Sequence, residues 1–139
     1  MDERPLTGVG RFGVSLPNRA VTFGAATVAD LLAAAELAEA IGVYHAVWVG
    51  DSLLAKPRLD AIVLLSAVAT RTLHVRLGPA CMASFPLRHP LVLAYQWASL
   101  DLLSEGRTIM VACIGGGARD GAGDFETEFA AMGIPREDR

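Results

Sequence analysis

The chain has 139 residues, of which 53% are hydrophobic and 19% charged, with a formal net charge of -3. This length suits one ordinary domain, and the composition excludes intrinsic disorder. The lack of a basic surplus excludes a typical nucleic-acid-binding surface. No apolar run reaches membrane-spanning length, and the polar start does not resemble a signal peptide. We therefore expect a single domain over residues 1–139, with neither nucleic acid nor a membrane as partner.

Apolar runs of strand length alternate with longer helical runs along the chain. The sequence predicts strands over residues 12–16 (FGVSL), 45–50 (HAVWVG), 74–83 (HVRLGPACMA) and 107–117 (RTIMVACIGGG). Helices are predicted between and after them, over residues 27–41, 59–71, 90–104 and 124–134. Four strand–helix alternations with short connections are typical of βαβ units and a parallel sheet. The predicted fold class is α/β.

Local signals mark several element ends. Thr27 and Asp30 form a capping-box pattern at the start of the first helix, and Gly42 stands at its C-cap. Pro57 is expected near the start of the second helix, where a missing N–H costs nothing. The dipeptide 78–79 (Gly-Pro) interrupts the third strand and predicts a bulge or an abrupt bend there.

Loops that leave parallel strands gather on one face, where α/β proteins bind ligands. The chemistry-bearing residues expected there are Asn18, Arg19, Asp51, Ser52, Arg88, His89 and Gly115–Gly117. Each has a plainer interpretation: His89 can cap the helix, Asp51 can cap a turn, and the glycines can form an ordinary sharp turn. No catalytic triad, metal-ligand cluster or phosphate-binding motif appears among them.

Other polar and aromatic residues are interpreted as structural. His45 and His74 precede strands and should lie at the opposite, stability face. Tyr95 and Trp97 should pack or border an interface, while Phe12, Trp48 and Met110 are expected in the core. Cys81 and Cys113 have neither metal-ligand spacing nor a disulfide-framework pattern, so a reducing, cytoplasmic setting is the default.

Two segments carry a family resemblance, VWVGDSLLAKPRLDAIVLLSAVATRT and VRLGPACMASFPLRHPLVLAYQWASLDLLSEGR. They resemble the luciferase-like monooxygenases, which are flavin- or deazaflavin-dependent oxidoreductases built on a (β/α)8 barrel. The most specific element is the string LG…P-x-R-H-P…A-x-LD-x-LS-x-GR, from Leu77 to Arg107. The closing EFAAMGIPRED is similar to the family's segment after the fourth strand. The resemblance covers nearly the whole chain from Arg11.

The resemblance implies a cofactor site at the strand ends, for FMN or the deazaflavin coenzyme F-420, and a small organic substrate. The implied cofactor-binding residues are Asp51, Ser52, Cys81, Met82, His89 and Gly115. Asp51 would lie near the flavin ring, and the loop 84–89 beside the pocket. A non-proline cis peptide would fall at Cys81–Met82. No residue is assigned a catalytic proton-transfer role, and no metal is implied.

The sequence departs from the family in three ways. Ser52 stands where many relatives have histidine, and Ile114 stands where relatives that bind FMN tightly carry arginine; both favour coenzyme F-420 slightly. A complete barrel needs about 250 residues, so the chain corresponds to the first half of one, with about four strands. It is either a fragment or a shortened relative. The alternative function is a non-catalytic half-barrel that binds a ligand or serves assembly.

An open half-barrel would leave two strand edges and an apolar interior in contact with water. The first and fourth predicted strands carry few charges that would protect these edges. We therefore expect a homo-oligomer, formed either by a twofold partner that completes a barrel-like core or by packing of the helices at 27–41 and 90–104.

Overall fold

The computed structural model describes residues 12–114 and 123–138. Three parallel strands form one sheet in the order β1 (Phe12–Leu16), β2 (Tyr44–Gly50) and β3 (Arg76–Cys81). The helices are α1 (Val28–Ile41), α2 (Ala61–Ala69), α3 (Pro90–Leu103) and α4 (Gly123–Ala131). Three short 3-10 turns lie at Ala20–Phe23, Phe85–Leu87 and Arg136–Asp138. The predicted α/β class with a parallel sheet is confirmed.

The fourth predicted strand forms only in part. It meets β3 at two isolated parallel bridges, Leu77 with Thr108 and Met82 with Ala112. Leu77 N–H donates to the Arg107 carbonyl, and the Leu77 carbonyl accepts from Ile109 N–H, at 3.1 and 2.9 Å. Because alternate residues of a strand face the same neighbour, the next ladder position belongs to Pro79, which has no N–H. The ladder of hydrogen bonds between β3 and the fourth segment is therefore interrupted after the two bonds at Leu77.

The predicted irregularity of the third strand is confirmed. Val49 pairs with Pro79 and the adjacent Gly50 pairs with Cys81, so Ala80 is an extra residue on β3. The inferred cis peptide at Cys81–Met82 is wrong, since residues 12–114 and 123–138 contain no cis bond. The bulge already bends the chain with trans bonds, which avoids the several kcal/mol that a non-proline cis bond costs.

The first helix has the predicted caps. Thr27 Oγ1 accepts from Asp30 N–H at 3.1 Å, and the Asp30 carboxylate accepts from Thr27 N–H at 2.8 Å. Gly42 ends the helix with φ 72°, a conformation that costs glycine nothing. None of the helices in the described part of the chain has the length and apolarity to span a membrane.

The second helix begins later than predicted. Its N-cap is Asp60, whose carboxylate accepts from Val63 N–H at 3.1 Å. Pro57 lies outside the helix, in a loop where its carbonyl accepts from Thr22 Oγ1 at 3.0 Å. The expectation for Pro57 was wrong because Asp60, three residues later, caps the helix instead.

The apolar core lies between the sheet and helices α1 to α3. Val47 and Val49 point to this side of β2 and are fully buried. The helices contribute the residues Leu31, Ala35, Leu65, Val68, Leu93 and Leu100. Two expectations for aromatic residues have different outcomes. Trp97 packs against the core from a partly buried position, as expected, whereas Phe12 is not in the core but is 59% exposed at the open edge of β1.

The opposite face of the sheet is the side that a full barrel would enclose. Trp48 lies on this face, in register with Ser15 of β1 and Gly78 of β3. A Cβ at Gly78 would overlap the Ile109 carbonyl, and a Cβ at Gly13 would overlap the Trp48 indole. Gly13 therefore lets the indole lie close to the sheet, and Gly78 lets the Ile109 backbone lie close to β3.

Candidate functional site

The loops after β1, β2 and β3 are bound together at the carboxyl ends of the strands. Asn18 follows β1 and is 2% exposed. Its amide donates to the Gly50 and Leu59 carbonyls at 2.9 and 3.0 Å, and its oxygen accepts from Gly50 N–H at 3.2 Å. One buried side chain thus satisfies backbone groups at the end of β2 and before α2.

Asp51 connects the loop after β2 to the loop after β3. Its side chain is 2% exposed. Oδ2 accepts from the N–H of Ser84, a fully buried residue, at 2.7 Å. Oδ1 lies 3.5 Å from Nη2 of Arg88. A carboxylate this buried requires such compensation, and both oxygens receive it.

Arg88 completes this connection. Its Nε donates to Ser84 Oγ at 2.7 Å, and Nη2 donates to Asp60 Oδ2 at 2.6 Å. Burial alone would raise the pKa of Asp60, but hydrogen bonds from Arg88 and from Val63 N–H lower it below its ordinary value. The basic residue that follows β3 therefore joins its own loop to both ends of the β2–α2 loop by charge-assisted hydrogen bonds.

Glu128 of α4 binds the loop after β2. Its Oε1 accepts from the N–H groups of Leu54 and Ala55 at 2.5 and 2.9 Å. The residue is 1% exposed, and Oε2 has no hydrogen-bond partner in the described part of the chain. A helix that follows the fourth predicted strand is thus hydrogen-bonded to the loop after β2.

Arg58 lies on the Gly50 backbone at the end of β2, where a Cβ would overlap its guanidinium. Its Nε donates to the Lys56 carbonyl at 3.0 Å. Burial lowers the pKa of Arg58 and the charge of Arg19 lowers it further, while Asp51 and Glu128 act in the opposite sense.

The structure brings together only some of the predicted site residues. Asp51 is buried beneath the loop 84–89, and Ser52 Oγ donates within its own loop to the Lys56 carbonyl at 2.8 Å. Cys81 and His89 are exposed. Met82 is fully buried among the core residues, and the strand bulge before it accounts for this inward direction. Gly115 lies outside the described residues.

Cys81 and Cys113 are joined as a disulfide, with Cα atoms 5.8 Å apart. The spacing of the two cysteines in the sequence does not predict this pair. Neighbouring parallel segments bring residues 32 positions apart into contact, and the Cα separation is typical of a bridge. The cytoplasmic setting stays a prediction.

Sequence reasoning missed Arg58 and Glu128. Arg58 could have been found, because it is a basic residue in a strand-end loop like Arg19 and Arg88. Glu128 carries no local signal, since its bond to Leu54 spans 74 positions. Asn18 was expected on this face, but its role in binding the loops together was not.

Most polar groups of this site are occupied by one another, so they suit positioning more than proton transfer. Nowhere in the described ranges do three or more histidine, cysteine or acidic side chains cluster as a metal site would require. Three small exposed residues, Ala80, Cys81 and Ala112, lie beside the occupied groups at the ends of β3 and its neighbouring segment. This surface, which we call the strand-end floor, can accept a flat ring.

Comparisons with known proteins agree with this geometry. A family model described as luciferase-like monooxygenase matches residues 10–139. No curated protein sequence matches. A solved monooxygenase from Streptomyces bottropensis superposes with a TM-score of 0.72 at 26% identity, over 93% of this chain and 38% of that one.

Two further solved structures share the fold. The coenzyme F-420-dependent tetrahydromethanopterin reductase of Methanopyrus kandleri has a TM-score of 0.63 at 24% identity, over 90% of this chain. The FMN complex of a type II Baeyer–Villiger monooxygenase from Pseudomonas putida has a TM-score of 0.66 at 16% identity, over 89%. The chain spans 30% and 32% of these two proteins. It therefore corresponds to about a third of each of them.

Proposed function

We propose, since the chain belongs to the luciferase-like monooxygenase family, that it forms the part of a flavin- or deazaflavin-dependent oxidoreductase that supports the cofactor ring. The family match over residues 10–139 carries this proposal. The strand-end floor supports it, because small exposed side chains lie beside a rigid, buried polar network.

The residues present fit a planar ring. Ala80 and Ala112 project only methyl groups, so the floor can be approached closely by a flat aromatic system. Among the similar solved structures, one is a coenzyme F-420-dependent reductase and another is a complex with FMN. When bound, such a cofactor supplies hydride transfer or oxygen activation, while the protein binds and orients it.

The chain's own residues would hold this floor in place. Asp51, Ser84 and Arg88 fix the β3–α3 loop beside it, which limits the movement of the wall against which a ring would lie. Ser52 is hydrogen-bonded within its loop and offers no acid–base group in the position of the relatives' histidine. Together with Ile114 in place of arginine, this favours coenzyme F-420 over FMN.

A binding titration tests the proposal. The purified chain should bind riboflavin, FMN or coenzyme F-420 with saturable quenching of cofactor fluorescence. Ala80→Leu should weaken this binding at least tenfold, because the added bulk occupies the floor. Ala33→Leu, on the exposed side of α1, is the matched control and should bind like the unaltered chain. No binding at high micromolar cofactor would favour the non-catalytic half-barrel instead.

Assembly is a second expectation. The described part of the chain exposes Phe12 (59%) beside the open edge of β1 and Ile114 (62%) beyond the fourth segment. Tyr95 on α3 is 77% exposed. Burial of such surface favours association, so light scattering at micromolar concentration should give a dimer or larger species.

Two variants distinguish the modes of assembly. Phe12→Lys should dissociate an edge-to-edge assembly, and Tyr95→Lys a helix-packed one. An unaltered chain that is a monodisperse monomer and unfolds cooperatively would contradict the expectation of an oligomer.

A further inference from the structure

Two arginines lie on neighbouring loops at the carboxyl ends of β1 and β2. The loops are joined by the bond from Thr22 Oγ1 to the Pro57 carbonyl and by the bond from the Asn18 amide to the Leu59 carbonyl, both 3.0 Å long. Arg19 follows Asn18, and Arg58 follows Pro57. The two hydrogen bonds therefore hold the two loops side by side, and the Arg58 guanidinium and Asn18 Oδ1 both lie against Gly50.

The Arg58 guanidinium is oriented but not neutralised. Its Nε is bound to the Lys56 carbonyl, and its Nη1 side lies against Gly50. Among the side chains that the structure describes, neither Nη atom has a hydrogen-bond partner or a carboxylate within ion-pairing distance. A guanidinium presents its Nη donors as a fork that matches two oxygens of one anion.

The Arg19 guanidinium also has no ion-pair partner among the described side chains. Its guanidinium lies 4.9 Å from the centre of the Phe23 ring. Stacking on an aromatic face orients a guanidinium while leaving its N–H edges available. Among the described side chains no carboxylate pairs with Arg19, and no hydrogen bond from its guanidinium to a described residue is found.

The two carboxylates whose charges act on Arg58 are bound by other groups, although Glu128 Oε2 has no partner among the described residues. Asp51 is compensated by Ser84 N–H and Arg88, and Glu128 Oε1 by two backbone N–H groups. Two like charges held close together are unfavourable. The lowering of the pKa of Arg58 by Arg19 agrees with their proximity. An anion between them would relieve the repulsion and satisfy the free donors.

We propose that Arg19 and Arg58 form a binding site for an oxyanion, a phosphate or carboxylate group, at the carboxyl ends of β1 and β2. The ligand would be held by guanidinium N–H donors from two loops that are hydrogen-bonded to each other. This site goes beyond the proposed function, because it requires an anionic group and not a flavin ring.

The experiment measures binding of inorganic phosphate to the purified chain by calorimetry. Arg58→Met and Arg19→Met should each weaken binding about tenfold or more, the effect expected when a charge-assisted hydrogen bond is lost. Lys56→Met removes an exposed cation from the same loop and should change the affinity less than twofold. Equal weakening by Lys56→Met would overturn the proposal, as would phosphate binding that neither arginine affects or the absence of saturable binding.

A second experiment distinguishes whether the anion is the phosphate of the cofactor or a group of the substrate. If the site takes the cofactor's phosphate, the unaltered chain should prefer FMN to riboflavin, and Arg58→Met should abolish that preference. If it takes an anionic substrate, acetate or phosphate should bind while the FMN-to-riboflavin ratio is unaffected by the variant. Phosphate binding without any flavin binding would leave this site standing and would contradict the proposed cofactor function alone.

Discussion

Replacing Arg107 by methionine should lower the free energy of unfolding by about 3 kcal/mol or more. Arg107 uses all five of its N–H donors, and every acceptor is uncharged. They are the carbonyls of Ala69, Thr72, Val75 and Ser104 and the Thr72 hydroxyl, at 2.7 to 3.0 Å. Methionine fills similar space but leaves these acceptors without a donor.

The location of these carbonyls makes the loss severe. Ala69 and Thr72 belong to the end of α2 and the turn after it, and Ser104 is the C-cap of α3. Terminal helix carbonyls lack partners within the helix, and a cation near them is stabilising. Burial lowers the pKa of Arg107, which Glu39 and Glu105 oppose. One side chain therefore joins the ends of two helices to the start of β3.

Two variants make the measurement specific. Arg76→Met removes an exposed arginine with a single 3.4 Å bond to the Thr108 carbonyl, and it should change stability by less than about 0.5 kcal/mol. Arg107→Lys keeps the charge but has only three donors and no planar fork, so it should recover part of the loss. Urea unfolding measures all three. Equal stability of the Arg107→Met and Arg76→Met variants would contradict the assignment.

Replacing Arg88 by methionine should cost about 3 kcal/mol, because it leaves the buried Asp51 carboxylate with only the Ser84 N–H. The matched control is Arg71→Met. Arg71 forms an ion pair with Glu36 in which the side chains are 54% and 39% exposed, and exposed pairs contribute at most about 1 kcal/mol. Similar losses in the two variants would contradict the buried-pair account.

A double-mutant cycle separates the partners. Asp51→Asn removes the buried charge, so Arg88→Met should cost less in that background than in the unaltered chain. If the losses in the free energy of unfolding of the two single variants add up to that of the double variant, Arg88 does not act through Asp51.

The pH dependence has a defined sign. The pKa of Asp60 in the folded chain lies below its ordinary value of 3.8. A carboxylate with a lowered pKa contributes stability above its unfolded-state pKa and loses it as the pH falls through the folded value. Arg88→Met removes one cause of the lowering, so the stability difference between the two chains should narrow below about pH 4.

The features that the sequence alone determined are those set by near neighbours. The capping box of Thr27 and Asp30, the C-cap at Gly42 and the start of α3 at Pro90 each depend on residues within about one helical turn. The runs FGVSL and HAVWVG predict β1 and β2 almost to the residue. Pro17 stops the first run, and the contiguous apolar residues of the second are typical of a buried parallel strand. The string from Leu77 to Arg107 indicated the family because a motif is a pattern of residues along the chain and needs no tertiary structure to be recognised.

The tertiary structure decided whatever depends on residues far apart in the chain. Asn18 reaches Leu59, Glu128 reaches Leu54, and Cys81 meets Cys113 only because the loops and strand ends converge. A side chain's hydrogen-bonding partners are set by distance in space, and no periodicity encodes them. Pro79 illustrates both kinds of information. The sequence predicts a bend at this proline, but only the structure shows that its backbone nitrogen, which carries no hydrogen, faces the fourth segment and so interrupts the hydrogen bonds on that side.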